Sequence, residues 1–280
     1  MNRAARRRLR SRIMTAATVA AAVLAVLPLA AIFLDLVARG ASSINFAFFV
    51  ENPVPAGQTG GGVANAIVGT LIVVGLASAI GLPIGIGAGV YLAEYGGTRL
   101  AVISRFLADV LNGTPSIVVG IFIWTLMVRP MGHFSALAGA VALAVLMLPM
   151  VTRTTEEMVR LVPHSLREAA LALGYPHWRT TLVVVVRSAW PGILTGGLVA
   201  VARVAGETAP LLFTALGNLN FRTNIFQPMQ TLSLQIYVYA TGPFDEWHRL
   251  AWGSALVLMM IVLVFGVAAR LATRSRFRRG

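Results

Sequence analysis

The amino-acid sequence predicts an all-α, polytopic membrane protein with six transmembrane helices, and three observations carry that reading. First, 57% of the 280 residues are hydrophobic, where a soluble domain has about 45–50%. Second, the excess falls in long uncharged runs of the length that crosses a bilayer, roughly 20 residues. Third, the 23 basic residues, all arginine, gather at the edges of those runs, as the positive-inside rule describes. Short connections join the runs without a linker, so residues 13–272 read as one transmembrane domain. A basic N-terminal segment, 1–12, and a basic tail, 273–280, flank it, both expected on the cytoplasmic side.

In chain order, residues 1–12 carry six arginines, and an uncharged run follows from Ile13 to Leu34. A signal peptide also has a basic start, but its apolar core is only about 7–15 residues. This run therefore reads as a retained first span, about 13–37. Residues 38–62, with Ser, Asn, Pro, Gly and Gln, read as an external loop. The second span, about 63–92, contains Gly81-Leu-Pro83-Ile-Gly85-Ile-Gly87-Ala-Gly89. Glycines can cradle phosphate, but small residues four apart within an apolar run fit close helix packing in lipid. Glu94, Arg99 and Arg105 mark an internal connection. The third span, about 107–128, opens with Asp109-Val-Leu-Asn112-Gly-Thr114-Pro-Ser116. Asp109 reads as an interfacial charge or cap, and Asn112, Thr114 and Ser116 are candidates for the substrate pathway. Arg129 and His133 lie in a tight external turn. The fourth span is about 134–152, a cytoplasmic segment covers 153–187, the fifth span is about 188–215 and the sixth about 250–271.

Residues 223–244 are also uncharged, but they include Asn224, Gln227, Gln230, Gln235, Pro228, Pro243 and Gly242. Burying such amides in lipid costs a few kcal/mol each, and a seventh span would put the C-terminal arginines outside. With six spans, eighteen arginines fall inside and four outside (Arg39, Arg129, Arg222, Arg249), with Arg203 inside a span. Residues 216–249 are therefore read as an external loop, or a re-entrant one, since irregular backbone is tolerated where protein or a water-filled cavity covers it. Asp245, Glu246 and His248 are read there as solvated loop residues or a surface for a solute-binding protein.

Composition excludes several chemistries. Without lysine there is no Gly-Lys-Ser/Thr phosphate loop, so any ATP and its Mg would be bound by another polypeptide. Without cysteine there are no disulfides, thiolate metal sites or cysteine nucleophiles. His133, His164, His177 and His248 show no metal-ligand spacing, and no Gly-x-Ser-x-Gly elbow or catalytic dyad is present. The expectation is a non-enzyme with no cofactor, no metal and no nucleic-acid partner.

Two stretches carry the functional reading. In Ser165-Leu-Arg-Glu168-Ala-Ala-Leu-Ala-Leu-Gly174, Ser165 and Glu168 have capping-box spacing. Gly174 suits the left-handed position after a helix end, and Pro176 blocks continuation. The result is a helix of about two turns with Leu166, Ala169, Ala170 and Leu173 on one face. That face fits either another protein's groove or the chain's own surface. The second stretch is Arg203-Val-Ala-Gly-Glu207-Thr208-Ala-Pro-Leu-Leu-Phe213. Four residues apart, Arg203 and Glu207 can pair on a helix face. Either they form a neutralised pair that stabilises a helix contact, or they face a pathway, where intramembrane charges usually lie. Arginine's planar fork suits the oxygens of a phosphate.

Glu168-Ala-Ala-x-x-x-Gly174 resembles the EAA loop of ABC importer permeases, although their later I-x-L-P is here Val184-Val-Val186-Arg187. The Arg203–Leu216 stretch, Thr114-Pro-Ser-Ile-Val-Val-Gly120 and, more loosely, Pro243-Phe-x-Glu-Trp247 resemble the PstA-type permeases of phosphate-specific ABC importers. The resemblance covers about residues 60–272. It implies an ABC importer permease (MetI-like) fold in a bacterial inner membrane. It also implies a PstC-type permease partner, two copies of a PstB-type ATPase and a PstS-type phosphate-binding protein. By it, Ser165, Glu168, Ala169, Ala170 and Gly174 belong to a helix that docks on the ATPase. Arg203 and Glu207 take the roles of the family's membrane-embedded arginine and glutamate, and Thr208 lies in the same motif. The alternatives are a permease for another oxyanion (phosphonate, sulfate or molybdate) and an ion-coupled secondary transporter; the latter would need no coupling helix and often shows internal repeats.

Overall fold

Two long apolar helices, Ala64–Glu94 and Ala136–Arg160, lie against each other along most of their length and organise the bundle. The computed structural model describes residues 3–55 and 57–277. Gly81, Gly85 and Gly89 make this contact possible: a Cβ on each would meet Met147, Val151 or Thr155 at 3.2, 2.8 and 2.5 Å. The glycine repeat is thus a packing stripe, as expected for helices that approach closely in lipid. The core cluster spreads from Val73, Ala77, Leu143 and Met147 to Ala200 and Val204 on the His177–Ala205 helix.

Among the described residues, five helices are long and apolar enough to cross a membrane: Arg10–Ala41, Ala64–Glu94, Ala136–Arg160, His177–Ala205 and Asp245–Ala268. A sixth crossing needs the bent pair Arg99–Gly113 and Ser116–Met131, whose axes differ by 107°. This corrects the third span, expected as one helix over 107–128. Pro115 has no N–H to continue the ladder and forces Thr114 out of helical conformation, and Thr114 has φ −78° and ψ 130°.

The other boundaries also shift. The first helix runs Arg3–Ala41 and touches the last helix near its own end, where Gly40 abuts Trp252 and Leu256 and the Arg39 guanidinium lies 5.1 Å from the Trp252 ring centre. The fourth span continues to Arg160, and the fifth begins at His177 but stops at Ala205 instead of 215. The segment 153–187 is thus mostly extensions of two spans around a short helix, His164–Ala172. The last helix, Asp245–Phe277, takes in Asp245, Glu246 and His248. These are not loop residues: the two carboxylates sit in the first turn, where the helix dipole favours negative charge. His248 Nε2 lies 2.8 Å from Gly242 O, and Trp247 stacks on Tyr239 at 4.8 Å. Arg278 and Arg279 of the expected tail lie outside the described residues.

Residues 216–249 hold one helix beyond the start of the last, Leu232–Ala240. Its nine residues span about 13 Å, less than half of a hydrocarbon core about 30 Å thick. Leu232, Leu234, Gln235 and Tyr239 are nevertheless fully buried. The segment is backed by protein, although the fully buried Gln235 side-chain amide makes no hydrogen bond among the described residues. Asn65 Nδ2 donates to Asn218 O at 2.8 Å, and Thr70 Oγ1 accepts from Leu232 N at 2.8 Å. Gly69 leaves room for the Gln230 carbonyl, which a Cβ would meet at 1.9 Å.

Candidate functional site

The His177–Ala205 helix ends at Gly206, and the chain passes through Glu207 and Thr208 before a new helix, Ala209–Thr214, begins with Pro210 in its first turn. Proline supplies no N–H for the Gly206 carbonyl, and Leu211 N donates to Thr208 O, so the Gly206 and Glu207 carbonyls lose their helical partners. The Leu232–Ala240 segment replaces one of them: Ser233 Oγ donates to Glu207 O at 3.0 Å and shares a 3.1 Å bond with Thr231 Oγ1. From the other side the Ser116–Met131 helix closes in, with Gly120 so near that a Cβ would lie 2.6 Å from Pro210 Cα. Three pieces of backbone therefore meet around residues 206–208: the end of the His177–Ala205 helix, the start of the Leu232–Ala240 helix and the Ser116–Met131 helix.

The candidate residues divide accordingly. Glu207 and Thr208 are half-buried at the break, and Thr208 Oγ1 reaches toward Ser233 O at 3.5 Å. Arg203 is exposed one turn before it. The expected Arg203–Glu207 pair is absent from the ion pairs among the described residues, because the helix ends between them and the i, i+4 geometry is lost. Ser116 is half-buried at the start of the half-length helix. Thr114 donates to Val110 O at 2.8 Å. Asn112 and Asp109 are exposed on the far side of the bend. Arg203 shares a helix face, at three- and four-residue spacing, with Ser188, Gly192, Thr195 and Val199. On this face Ser188, Val199 and Arg203 are exposed, Thr195 is half-buried and Gly192 abuts Met158; toward its Ser188 end it forms a groove with Met158, Leu161 and Val162.

At the arginine-rich end, the His164–Ala172 helix differs in detail from expectation. Its N-cap is Pro163, which makes no side-chain cap, so Ser165 and Glu168 do not form a capping box. Pro163, extended at φ −57° and ψ 141°, starts the helix two residues before a Ser165 cap would. The C-terminus is as predicted. Gly174 has φ +80°, Tyr175 N donates to Ala170 O at 3.2 Å and Gly174 N to Leu171 O at 2.9 Å; these are the two bonds of a Schellman motif. The face is split: Ala170 is buried on its own chain, while Leu166, Ala169 and Leu173 are exposed with Ser165 and Glu168.

Sequence reasoning missed the contacts that join distant segments. Arg167 pairs with Glu94 across 73 residues, and Arg105 Nε donates to Glu156 Oε1 at 2.8 Å across 51. Ser233 meets Glu207 across 26. No local spacing signals such pairs. No group of three His, Cys, Asp or Glu that could hold a metal occurs among the described residues.

A helical bundle with a helix held out at one end and a broken span backed by the Leu232–Ala240 segment defines a multi-pass membrane transport subunit. The chain belongs to the family of binding-protein-dependent transport system inner membrane components, which it matches over residues 81–276. Within that family it is 48% identical over 240 residues, 85% of this chain and 81% of the relative, to the phosphate transport system permease protein PstA of Yersinia pestis. It is 49% identical over 237 residues to PstA of Xylella fastidiosa strain Temecula1, covering 84% and 82%. With PstA of Pasteurella multocida the figures are 42% over 266 residues, 95% of each chain. An inward-facing MetNI methionine ABC transporter shares the fold, with TM-score 0.65 at 18% identity over 76% of this chain and 95% of that one. An amino acid ABC transporter crystallised with histidines gives 0.58 at 19%, covering 76% and 92%.

Proposed function

We propose that this chain is the permease subunit of an ATP-driven importer that carries inorganic phosphate into the cell. The observation that carries the reading is the identity of 42–49% to phosphate permeases over most of both chains, joined to a broken span with a charged, partly exposed face. As a permease it performs no chemistry on its cargo, and a separate ATPase supplies ATP hydrolysis with its Mg. The exposed Ser188, Val199 and Arg203 positions of this face would meet a PstC-type second permease, so that phosphate passes between them. Arg203 offers the anion a guanidinium without an ion-pair partner among the described residues, and Glu207 on the broken backbone limits how tightly the anion is held, since conduction needs binding that releases. Thr208, Ser116, Thr114 and Asn112 are the secondary pathway candidates. Leu166, Ala169 and Leu173, with Ser165 and Glu168, would dock on one of two PstB-type ATPases, while Ala170 and Gly174 hold the helix in place. A PstS-type binding protein would deliver phosphate at the opposite end, with both termini cytoplasmic.

The test is uptake by vesicles holding the purified permease pair and ATPase, fed by binding proteins loaded with phosphate, sulfate or molybdate. ATP-dependent phosphate uptake alone is expected. Uptake of another oxyanion in its place would reassign the substrate, and uptake without the ATPase would favour an ion-coupled transporter.

A further inference from the structure

We propose that the Glu94–Arg167 ion pair is a positioning clamp that passes movement of the His164–Ala172 helix into the Ala64–Glu94 and Ala136–Arg160 spans. The inference rests on the coupling role given to that helix above. Ala170 is the helix's one buried residue, so apolar contact holds it weakly. Arg167 supplies the rest. Its Nη1 donates to Glu94 Oε1 and its Nη2 to Val159 O at 3.1 Å. The other oxygen of the same carboxylate accepts from Thr181 Oγ1 at 3.2 Å. One guanidinium and one carboxylate thus join four elements: the ends of two spans, the short helix and the start of the His177–Ala205 helix. The side chains are only 18% and 17% exposed.

A buried ion pair contributes little net stability, because desolvation offsets attraction, but it fixes geometry. Arginine's planar fork reaches two acceptors at once, which a lysine cannot do in the same way. Behind the clamp the structure is stiff: the two spans pack through their glycine stripe, and Glu156 binds both Arg105 and Arg160, at 2.8 and 2.6 Å. A displacement at Arg167 is therefore delivered to the spans as a unit rather than absorbed in a loop.

The experiment measures ATP hydrolysed per phosphate carried by the whole complex in lipid vesicles. Glu94→Gln and Arg167→Gln should each raise this ratio about five-fold or more, the lower range of coupling energies, read per assembled complex, because a single variant that leaves one charge of the pair unpaired also lowers the yield. The double variant should be no worse than either single, and Arg167→Lys should fall between. An unchanged ratio in both single variants overturns the clamp. So does failure of all three of Glu94→Gln, Arg167→Gln and Arg167→Lys to assemble, since the pair would then hold the fold together rather than transmit. Ala169→Arg, on the outward face, separates the two readings. If it uncouples while the clamp variants do not, only the clamp fails. If it also leaves docking and ratio unchanged, the coupling role of the helix fails.

Discussion

The two ends of the His177–Ala205 helix treat charge in opposite ways. Around its first turns, Glu94, Arg167, Glu156, Arg105 and Arg160 are all paired within the chain; Glu156 is buried, Glu94, Arg167 and Arg105 are half-buried and Arg160 is exposed. Around its last turn, Arg203 and Glu207 have no ion-pair partner among the described residues, and Arg203 is exposed. Paired, desolvated charges hold geometry. A charge at membrane depth without a partner in its own chain draws one from outside: a second permease, a hydrated path or an anion. Under the proposed function, the first group would transmit force and the second would face the cargo.

The sharpest way to break this comparison is to turn the molecule over. Single cysteines at the exposed Asn220 and Leu161 positions of this cysteine-free chain should give all-or-none results with an impermeant thiol reagent on intact cells, Asn220→Cys labelled and Leu161→Cys not. The reverse pattern would put the paired charges outside and end the assignment.

Next in size is Arg203→Gln. Losing charge-assisted hydrogen bonds of about 1.5–3 kcal/mol should cut phosphate uptake about 10- to 100-fold. Because Arg203 and Glu207 are not paired within the chain, the complex should still assemble at wild-type yield, and Arg203→Gln with Glu207→Gln should not restore uptake. Normal labelled-phosphate uptake by the double variant would make the two charges structural.

Gly174→Val tests the paired end without touching a charge. A left-handed residue with a Cβ costs roughly 1–2 kcal/mol, more for a branched one, and would tilt the His164–Ala172 helix. The expected result is a several-fold rise in ATP consumed per phosphate with little loss of assembled complex. Unaltered coupling would mean the helix tolerates reorientation.

The smallest effect belongs to the contact behind the cargo site. Gly120→Ala places a methyl against Pro210 backbone, which a flexible side chain cannot relieve. Overpacking of this kind costs about 1–3 kcal/mol. A fall of a few degrees in the melting temperature of the purified complex is expected, with uptake reduced in proportion to site distortion. No shift would place the Ser116–Met131 helix away from the break.

Much of this was legible from residue order alone. Apolar run length and arginine placement identify five of the long helices. Gly81, Gly85 and Gly89 announce a close helix contact, and Gly174 announces a left-handed helix end, because each depends on near neighbours in the chain. The amides of 223–244 similarly mark a segment that cannot face lipid. What only tertiary structure decided is where local rules compete or where partners are remote. Pro115 turned an expected straight span into two helices 107° apart. Pro163 displaced an expected capping box, and Gly206 with Pro210 ended a helix that hydrophobicity alone would continue, separating Arg203 from Glu207. The packing of the Leu232–Ala240 segment rested on Asn65, Thr70 and Gly69 in a span some 150 residues earlier, and the Arg167–Glu94 contact on residues 73 apart. Spacing encodes what a helix does to its own neighbours within a few residues. Which charges find partners is set by the packing of the whole bundle.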